Sequence, residues 1–285
     1  MRGSNMIFIL AATSSAVFFM AAVARPRHAV LAASNPVAAT ESPLVNALDA
    51  ELKRAMSSLG ADGASAAQQP KPYYLSYAVS DATQVGIAAE YGAITASNER
   101  RVRTVDVQVR LGSPAEDNTH GDHRNSAITT FPLPLTDDRD AIARSLWFAT
   151  NRGYARALDG FLKVQTEQQV RAKEEDNSAD FSTEKPQADL LPPAPALIVD
   201  RTAWEQRLRE ISSLFSQYPD VFADQVQFDA SSENDYFVSS EGARIANPSH
   251  VARLVIVART RAADGMDMFR DETFEADSAA HLPDQ

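Results

Sequence analysis

Residues 73–111, YYLSYAVSDATQVGIAAEYGAITASNERRVRTVDVQVRL, decide the fold. Tyr73, Leu75, Tyr77 and Val79 alternate with Tyr74, Ser76, Ala78 and Ser80. Val85, Ile87, Ala89 and Tyr91 alternate with smaller or polar residues, and Val105, Val107, Val109 and Leu111 alternate with Thr104, Asp106, Gln108 and Arg110. A period of two over such lengths marks a sheet with one buried and one wet face. The connections are short, so the predicted pairing is antiparallel.

Helices flank this sheet. Ser42 suits an N-cap and Pro43 a first helical position, and Leu44, Leu48, Leu52, Met56 and Leu59 share a stripe. That predicts a helix over 42–59, ended by Gly60. Asp137, Asp138 and Asp140 suit the positive end of a long helix over 137–173, with a stripe of Ile142, Leu146, Trp147, Tyr154, Leu158, Phe161 and Leu162. Within it Gly153 and Gly160 mark close packing or a break. Residues 174–195 are acidic and polar and end in Leu-Leu-Pro-Pro-Ala-Pro, where prolines 192, 193 and 195 exclude helix and central strand, so this stretch reads as a linker. A helix over 201–217, with Trp204, Leu208, Ile211 and Leu214 or Phe215 inward, stops at Pro219. Strands over 225–232, 236–240 and 250–261 follow. The class is α+β.

The halves 42–173 and 196–285 resemble each other at an offset of 150. Gly92-Ala93 matches Gly242-Ala243, Glu90 lies one position from the counterpart of Glu241, and Arg103, Val105 and Val107 match Arg253, Val255 and Val257. A duplicated helix-plus-strands unit sharing one sheet accounts for this; so does chance likeness between strand-turn-strand units.

Composition narrows the function. The 285 residues carry 38 acidic and 27 basic side chains, a net charge of −11, whereas nucleic-acid and anionic-membrane binders need a basic surface. No cysteine is present, which removes disulfides, thiolate metal sites and cysteine nucleophiles. Residues 1–24 read as an export signal: Arg2, the apolar run Met6–Val23, and small residues at Ala22 and Ala24. The run is long, so an uncleaved membrane anchor is the alternative. Residues 25–41 form an Ala- and Pro-rich leader. The expected location is a bacterial periplasm or outside the cell.

No His-Glu-x-x-His, Gly-rich phosphate loop or Gly-x-Ser-x-Gly elbow occurs. In Asp117-Asn118-Thr119-His120-Gly121-Asp122-His123, the side chains of Asp117, His120, Asp122 and His123 could hold a metal through oxygen and imidazole ligands. The other reading, adopted here, is a polar loop, since Asp, Asn, Gly and His are common loop residues. The carboxylate runs Glu174-Glu175-Asp176 and Asp271-Glu272 read as solvated charge, and Tyr73, Tyr74, Tyr77 and Tyr91 as the rim of a core.

Several segments together resemble the N-terminal half of the TldD/PmbA family, bacterial proteins described as zinc-dependent peptidases and as modulators of DNA gyrase. They are Tyr73-Tyr74-Leu75-Ser76-Tyr77, Tyr91-Gly92-Ala93-Ile94, Arg101 to Val107, Leu111-Gly112-Ser113 with Asp117-Asn118-Thr119-His120, Asp180 to Pro186, Asn234 to Gly242, and Asp264-Gly265-Met266. The resemblance spans 42–285 and is best to exported members. It implies a curved, mainly antiparallel sheet backed by helices, forming part of a substrate cleft. The family's zinc sits in a separate C-terminal domain on a His-Glu-x-x-x-His helix. This chain has no such motif and stops at Gln285, about where that domain should begin, so no catalytic, cofactor or metal residue is carried over. The expectation is a non-catalytic part of a peptidase that binds extended peptide or docks on a catalytic partner, alone or as an oligomer. A stand-alone periplasmic binding or scaffold protein is the alternative, and a hydrolase built on His120 and His123 a third.

Overall fold

The computed structural model describes residues 42–60, 69–121, 127–168 and 178–283. The export segment and leader lie outside them, and no helix among the described residues is long and apolar enough to cross a membrane. Helix α1 spans Pro43–Ser58, strand β1 Pro72–Glu90, β2 Ala93–Ser113, β3 Glu116–Asp117 and β4 Ile128–Pro132. Helix α2 spans Arg139–Gln168, β5 Ala188–Leu190, α3 Arg201–Ser213, β6 Val221–Ser239, β7 Arg244–Arg261 and β8 Asp267–Ala276. The strands form one mainly antiparallel open sheet of eight in the order β3-β2-β1-β6-β7-β5, with β4 also pairing β2 and β8 pairing β7.

The period-two stretches form the centre of this sheet, and their apolar sides define one buried face. Leu75, Tyr77 and Val79 of β1 join Val105, Val107, Val109 and Leu111 of β2 in a core closed by α1 and α2. Farther along the same face, Val85, Ile87 and Ala89 join Val226, Phe228 and Leu254 under α3, whose Trp204 stacks on Phe228 with ring centroids 3.9 Å apart. Between β1 and β2 the chain turns through Tyr91 and Gly92 with φ of 46° and 81°. Positive φ at both central residues is the turn whose twist matches a hairpin. Tyr91 holds this conformation through its N–H, which donates to Asp224, and its hydroxyl, which donates to the Val221 carbonyl at 3.0 Å.

Three features depart from the sequence reading. The two strands expected over 225–232 and 236–240 are one strand, β6 (Val221–Ser239), because its polar middle is satisfied: Asn234 Oδ1 accepts from the Ala194 N–H at 2.7 Å and Ser232 Oγ donates to the Pro195 carbonyl at 2.8 Å. The linker contains β5, which lies between Pro186 and Pro192 and pairs parallel with Arg244–Ala246. Strand β8 gives no apolar period because nine of its ten residues are exposed.

The pairing also corrects the repeat. Tyr77 pairs with Val107 and Val79 with Val105, while Val226 pairs with Ile256 and Phe228 with Leu254. Thr83 pairs with Ser232 at the centre of β1–β6, and Tyr77↔Val238 mirrors Ala89↔Val226. All these pairs map onto one another at an offset of 149, giving the sheet a local two-fold between Thr83 and Ser232. The sequence identities sit at 150. With side chains alternating along a strand, that one-residue difference changes the face. Val105 and Val107 are fully buried, whereas Val255 and Val257 lie opposite to Leu254 and are half-exposed.

Gly153 and Gly160 of α2 mark close packing, not a break. A Cβ on Gly153 would lie 3.2 Å from Val107 Cγ1, and one on Gly160 would lie 2.7 Å from the Asn118 carbonyl oxygen. Gly160→Ala is therefore expected to destabilise by about 1–3 kcal/mol despite the better helix propensity of alanine. Urea unfolding measures it, and an unchanged midpoint would mean that α2 does not approach β2 this closely.

Candidate functional site

The sequence cluster at 117–123 divides in the structure. Asp122 and His123 lie outside the described residues. Asp117 and His120 are described, and they turn to different partners.

Asp117 ends the tight β2–β3 connection with its side chain fully buried. Its Oδ2 accepts from the Tyr73 hydroxyl at 2.8 Å and from the Arg110 guanidinium, and its Oδ1 accepts from the N–H and hydroxyl of Thr119, each at 2.7 Å. Burial alone would raise its pKa, but the bonds from Thr119, Arg110 and Tyr73 together hold the carboxyl below the usual range. The Tyr73 hydroxyl is pushed well above its ordinary value, by burial first and by Asp117 second. A carboxylate so occupied has no lone pair to offer a substrate or cation.

His120 faces Asp180 instead. Its Nδ1 lies 2.9 Å from Asp180 Oδ2, which also accepts the Asp117 N–H at 2.9 Å, and its Nε2 lies 3.7 Å from Glu116. Beside it, Phe181 packs 4.6 Å from the Tyr74 ring centroid and lies 4.5 Å beneath the Arg110 guanidinium. Asp180 and Phe181 thereby pin the segment 178–187 to the β2–β3 corner, from which it runs to β5. Among the described residues, which leave out Asp122 and His123, no group of three or more His, Asp and Glu side chains is placed to hold a metal. Reading the loop as local missed Arg110, Asp180 and Phe181. The signal for Asp180 and Phe181 was their presence among the motif segments, because nothing in spacing links them to residue 117.

Among the described residues, one uncovered stretch of strand edge lies on β2. On the far side of the sheet, β5 adds to β7 at Arg244–Ala246, with the Leu191 N–H donating to the Ala246 carbonyl at 3.0 Å and the Arg244 N–H to the Gln187 carbonyl at 2.8 Å. The offset of 149 carries Arg244–Ala246 to Thr95–Ser97 on β2. β4 covers β2 only from Thr104 to Gln108 and β3 only at Gly112 and Ser113. From Ala93 to Val102 the outer edge of β2 carries no strand among the described residues, and all but Ile94 and Ser97 are exposed.

No protein-family profile matches the chain, and no curated protein matches it in sequence. Among solved structures, it is similar in fold to TldE from Thermococcus kodakarensis, at 10% identity and TM-score 0.44, over 81% of this chain and 43% of that one. It is similar to a proposed modulator of DNA gyrase from Bacteroides thetaiotaomicron VPI-5482 at 8% identity and TM-score 0.43, over 84% and 46% of the two chains. A proposed modulator of a DNA gyrase from Thermotoga maritima MSB8 matches at 9% identity and TM-score 0.39, over 74% and 41%. The chain spans less than half the length of each.

Proposed function

We propose that the chain is a non-catalytic binding and docking module of the TldD/PmbA type. It takes an extended peptide on the outer edge of β2 and, in a larger assembly, offers it to a partner that carries the zinc and the chemistry of proteolysis. The chain is exported, as the apolar run Met6–Val23 suggests, and its acidity suits peptide rather than nucleic acid. One observation carries the reading: the chain uses one of two equivalent edges for its own segment Ala188–Leu190, and no strand among the described residues covers the other, Ala93–Val102. Such an edge gives affinity through backbone hydrogen bonds and specificity through alternate side chains. The occupied edge also supplies the geometry, a parallel strand next to Thr95–Ser97.

The test uses a peptide of the sequence PQADLLPP, residues 186–193 of this chain, and backbone amide shifts of the isotopically labelled protein. Saturable shifts concentrated between Ala93 and Val102 are expected, with a Kd of about 0.1–1 mM for so short a strand. Shifts confined to β8, or none at saturation, would sink the reading.

A further inference from the structure

An added strand alternates its side chains between the two faces of a sheet, so the charges flanking the β2 edge on each face set which side chains it favours. On the helix face those charges are already matched. Arg101 donates from Nε and Nη2 to the two oxygens of Asp81 at 3.0 and 2.8 Å, and the Ser97 hydroxyl accepts from Arg201 at 2.8 Å and donates to Glu205 at 2.6 Å. On the wet face Arg100 is different. Its Nε and Nη2 both donate to Oε1 of the neutral Gln84, at 3.0 and 2.8 Å, and among the described residues it pairs with no carboxylate. Elsewhere on the sheet Arg110, Arg244, Arg253 and Arg270 pair with acids, and Arg259 lies over the Phe269 ring. Flanking Arg100 on β1 are Ala82, Gln84 and Gly86, and the acids of this face nearest in register, Asp229 and Glu233, stand one strand farther, on β6. Asp229 accepts from Gln227 and Glu233 from the Ser80 hydroxyl. The offset of 149 carries Arg100 to Ser249 on β7, so the cation belongs to the β2 edge alone.

We propose that the β2 edge selects extended peptides carrying Asp or Glu three residues C-terminal to the one beside Ser97, an inference that rests on the edge reading above. The register is that of the edge the chain fills itself. Leu190 pairs with Ala246, the counterpart of Ser97, so in a parallel strand the third residue onward stands beside Arg100 with its side chain on the same face. A carboxylate there accepts two bonds in parallel from the guanidinium, where Gln84 offers one neutral oxygen. The stretch ends soon after: at Arg103 the edge passes to Leu133, whose N–H donates to the Arg103 carbonyl at 2.8 Å. The filled edge shows the converse. Ser249 stands in place of the cation, the linker carries Pro193 where the acid would be, and the chain leaves the edge there, its Ala194 N–H turning to Asn234.

Three C-terminally amidated peptides test it: the sequence 186–193 with Pro192→Thr throughout and Pro193→Glu, Pro193→Gln or Pro193→Lys. Amidation removes the terminal carboxylate as a rival anion. Affinities are read from backbone amide shifts of the labelled full chain. The Glu peptide should bind about threefold more tightly than the Gln peptide, and the Lys peptide about threefold less tightly, as one exposed charge pair supplies. In Arg100→Gln the Glu and Gln peptides should bind equally, and in Arg100→Glu the order should reverse. The net charge of −11 by itself favours the Lys peptide, so a preference for Glu is a local property. Equal affinities of the Glu and Gln peptides for wild type, or a Glu preference that survives Arg100→Gln, overturns the selectivity and leaves the edge reading standing. No saturable shifts between Ala93 and Val102 with any of the three overturns both.

Discussion

Val107→Lys is expected to leave the chain unable to fold, while Val257→Lys melts within a few degrees of wild type. The two valines match in sequence, and only the register separates them. Val107 is fully buried, paired with Tyr77 on one side and Thr129 on the other, with the Gly153 backbone of α2 seated on its methyls. A lysine there buries an unpartnered ammonium or gives up its proton, at a cost of several kcal/mol. Overpacking against α2 adds about 1–3 kcal/mol. The sum is comparable to the roughly 5–15 kcal/mol that holds a domain together. Val257 sits half-exposed on the opposite face, paired with Gln225 and Asp271. A lysine there gains a neighbouring carboxylate, worth about 0–1 kcal/mol at an exposed site. Circular-dichroism melts of the two variants decide. Equal melting temperatures would mean that the register, and the two-fold drawn from it, is wrong.

What the sequence made legible follows the same physics. Where one face is buried, as in β1 and the second half of β2, alternation is visible, and the stripes of α1 and α3 place those helices within a residue or two at their starts. Where both faces are wet, as in β8, the residues need satisfy only water and each other, and no period is written. β5 is held by backbone bonds to β7, which leave no mark on side-chain choice. The repeat was visible but its register was not: Gly242 marks the β6–β7 turn as Gly92 marks that of β1–β2, but the turns close differently, so aligning on glycines is one residue from aligning on pairs. At the candidate site, Asp117 and His120 were prominent because loops are where chemistry is sought. Their partners Arg110, Tyr73 and Asp180 come from other segments, and only the fold brings them together.

The second large effect concerns the buried charges at the junction of the two cores. Arg103 is 3% exposed in its side chain and Asp81 9%; they pair across β1–β2, with Arg103 Nη2 to Asp81 Oδ2 at 2.6 Å. Arg101 donates two further bonds to Asp81, one to each carboxylate oxygen, and Arg103 also donates to the Pro134 carbonyl at 3.0 Å and pairs with Asp137 at 2.9 Å, fixing the approach to α2. Arg103→Ala leaves Asp81 with the half-exposed Arg101 as its one cationic partner and frees that approach, so a loss approaching the roughly 3–5 kcal/mol of a broken buried pair is expected. The offset of 149 carries this pair to Ala230 and Ala252, both buried in the second core. The fold thus accepts an apolar pair at the equivalent position. Asp81→Ala combined with Arg103→Ala should therefore lose less than the two single changes summed, by at least ~1 kcal/mol. Acid gives an independent readout. Burial alone would raise the pKa of Asp81, but its bonds to Arg101 and Arg103 bring the carboxyl below the usual value. A depressed folded pKa contributes stability that is present above the unfolded value and lost as pH falls through the folded one. Wild type should thus lose stability below about pH 4 more steeply than the double variant. Urea unfolding at pH 7 and pH 3 tests both statements. Strict additivity, with parallel acid dependence in the two proteins, would show that Asp81 and Arg103 do not act as a pair.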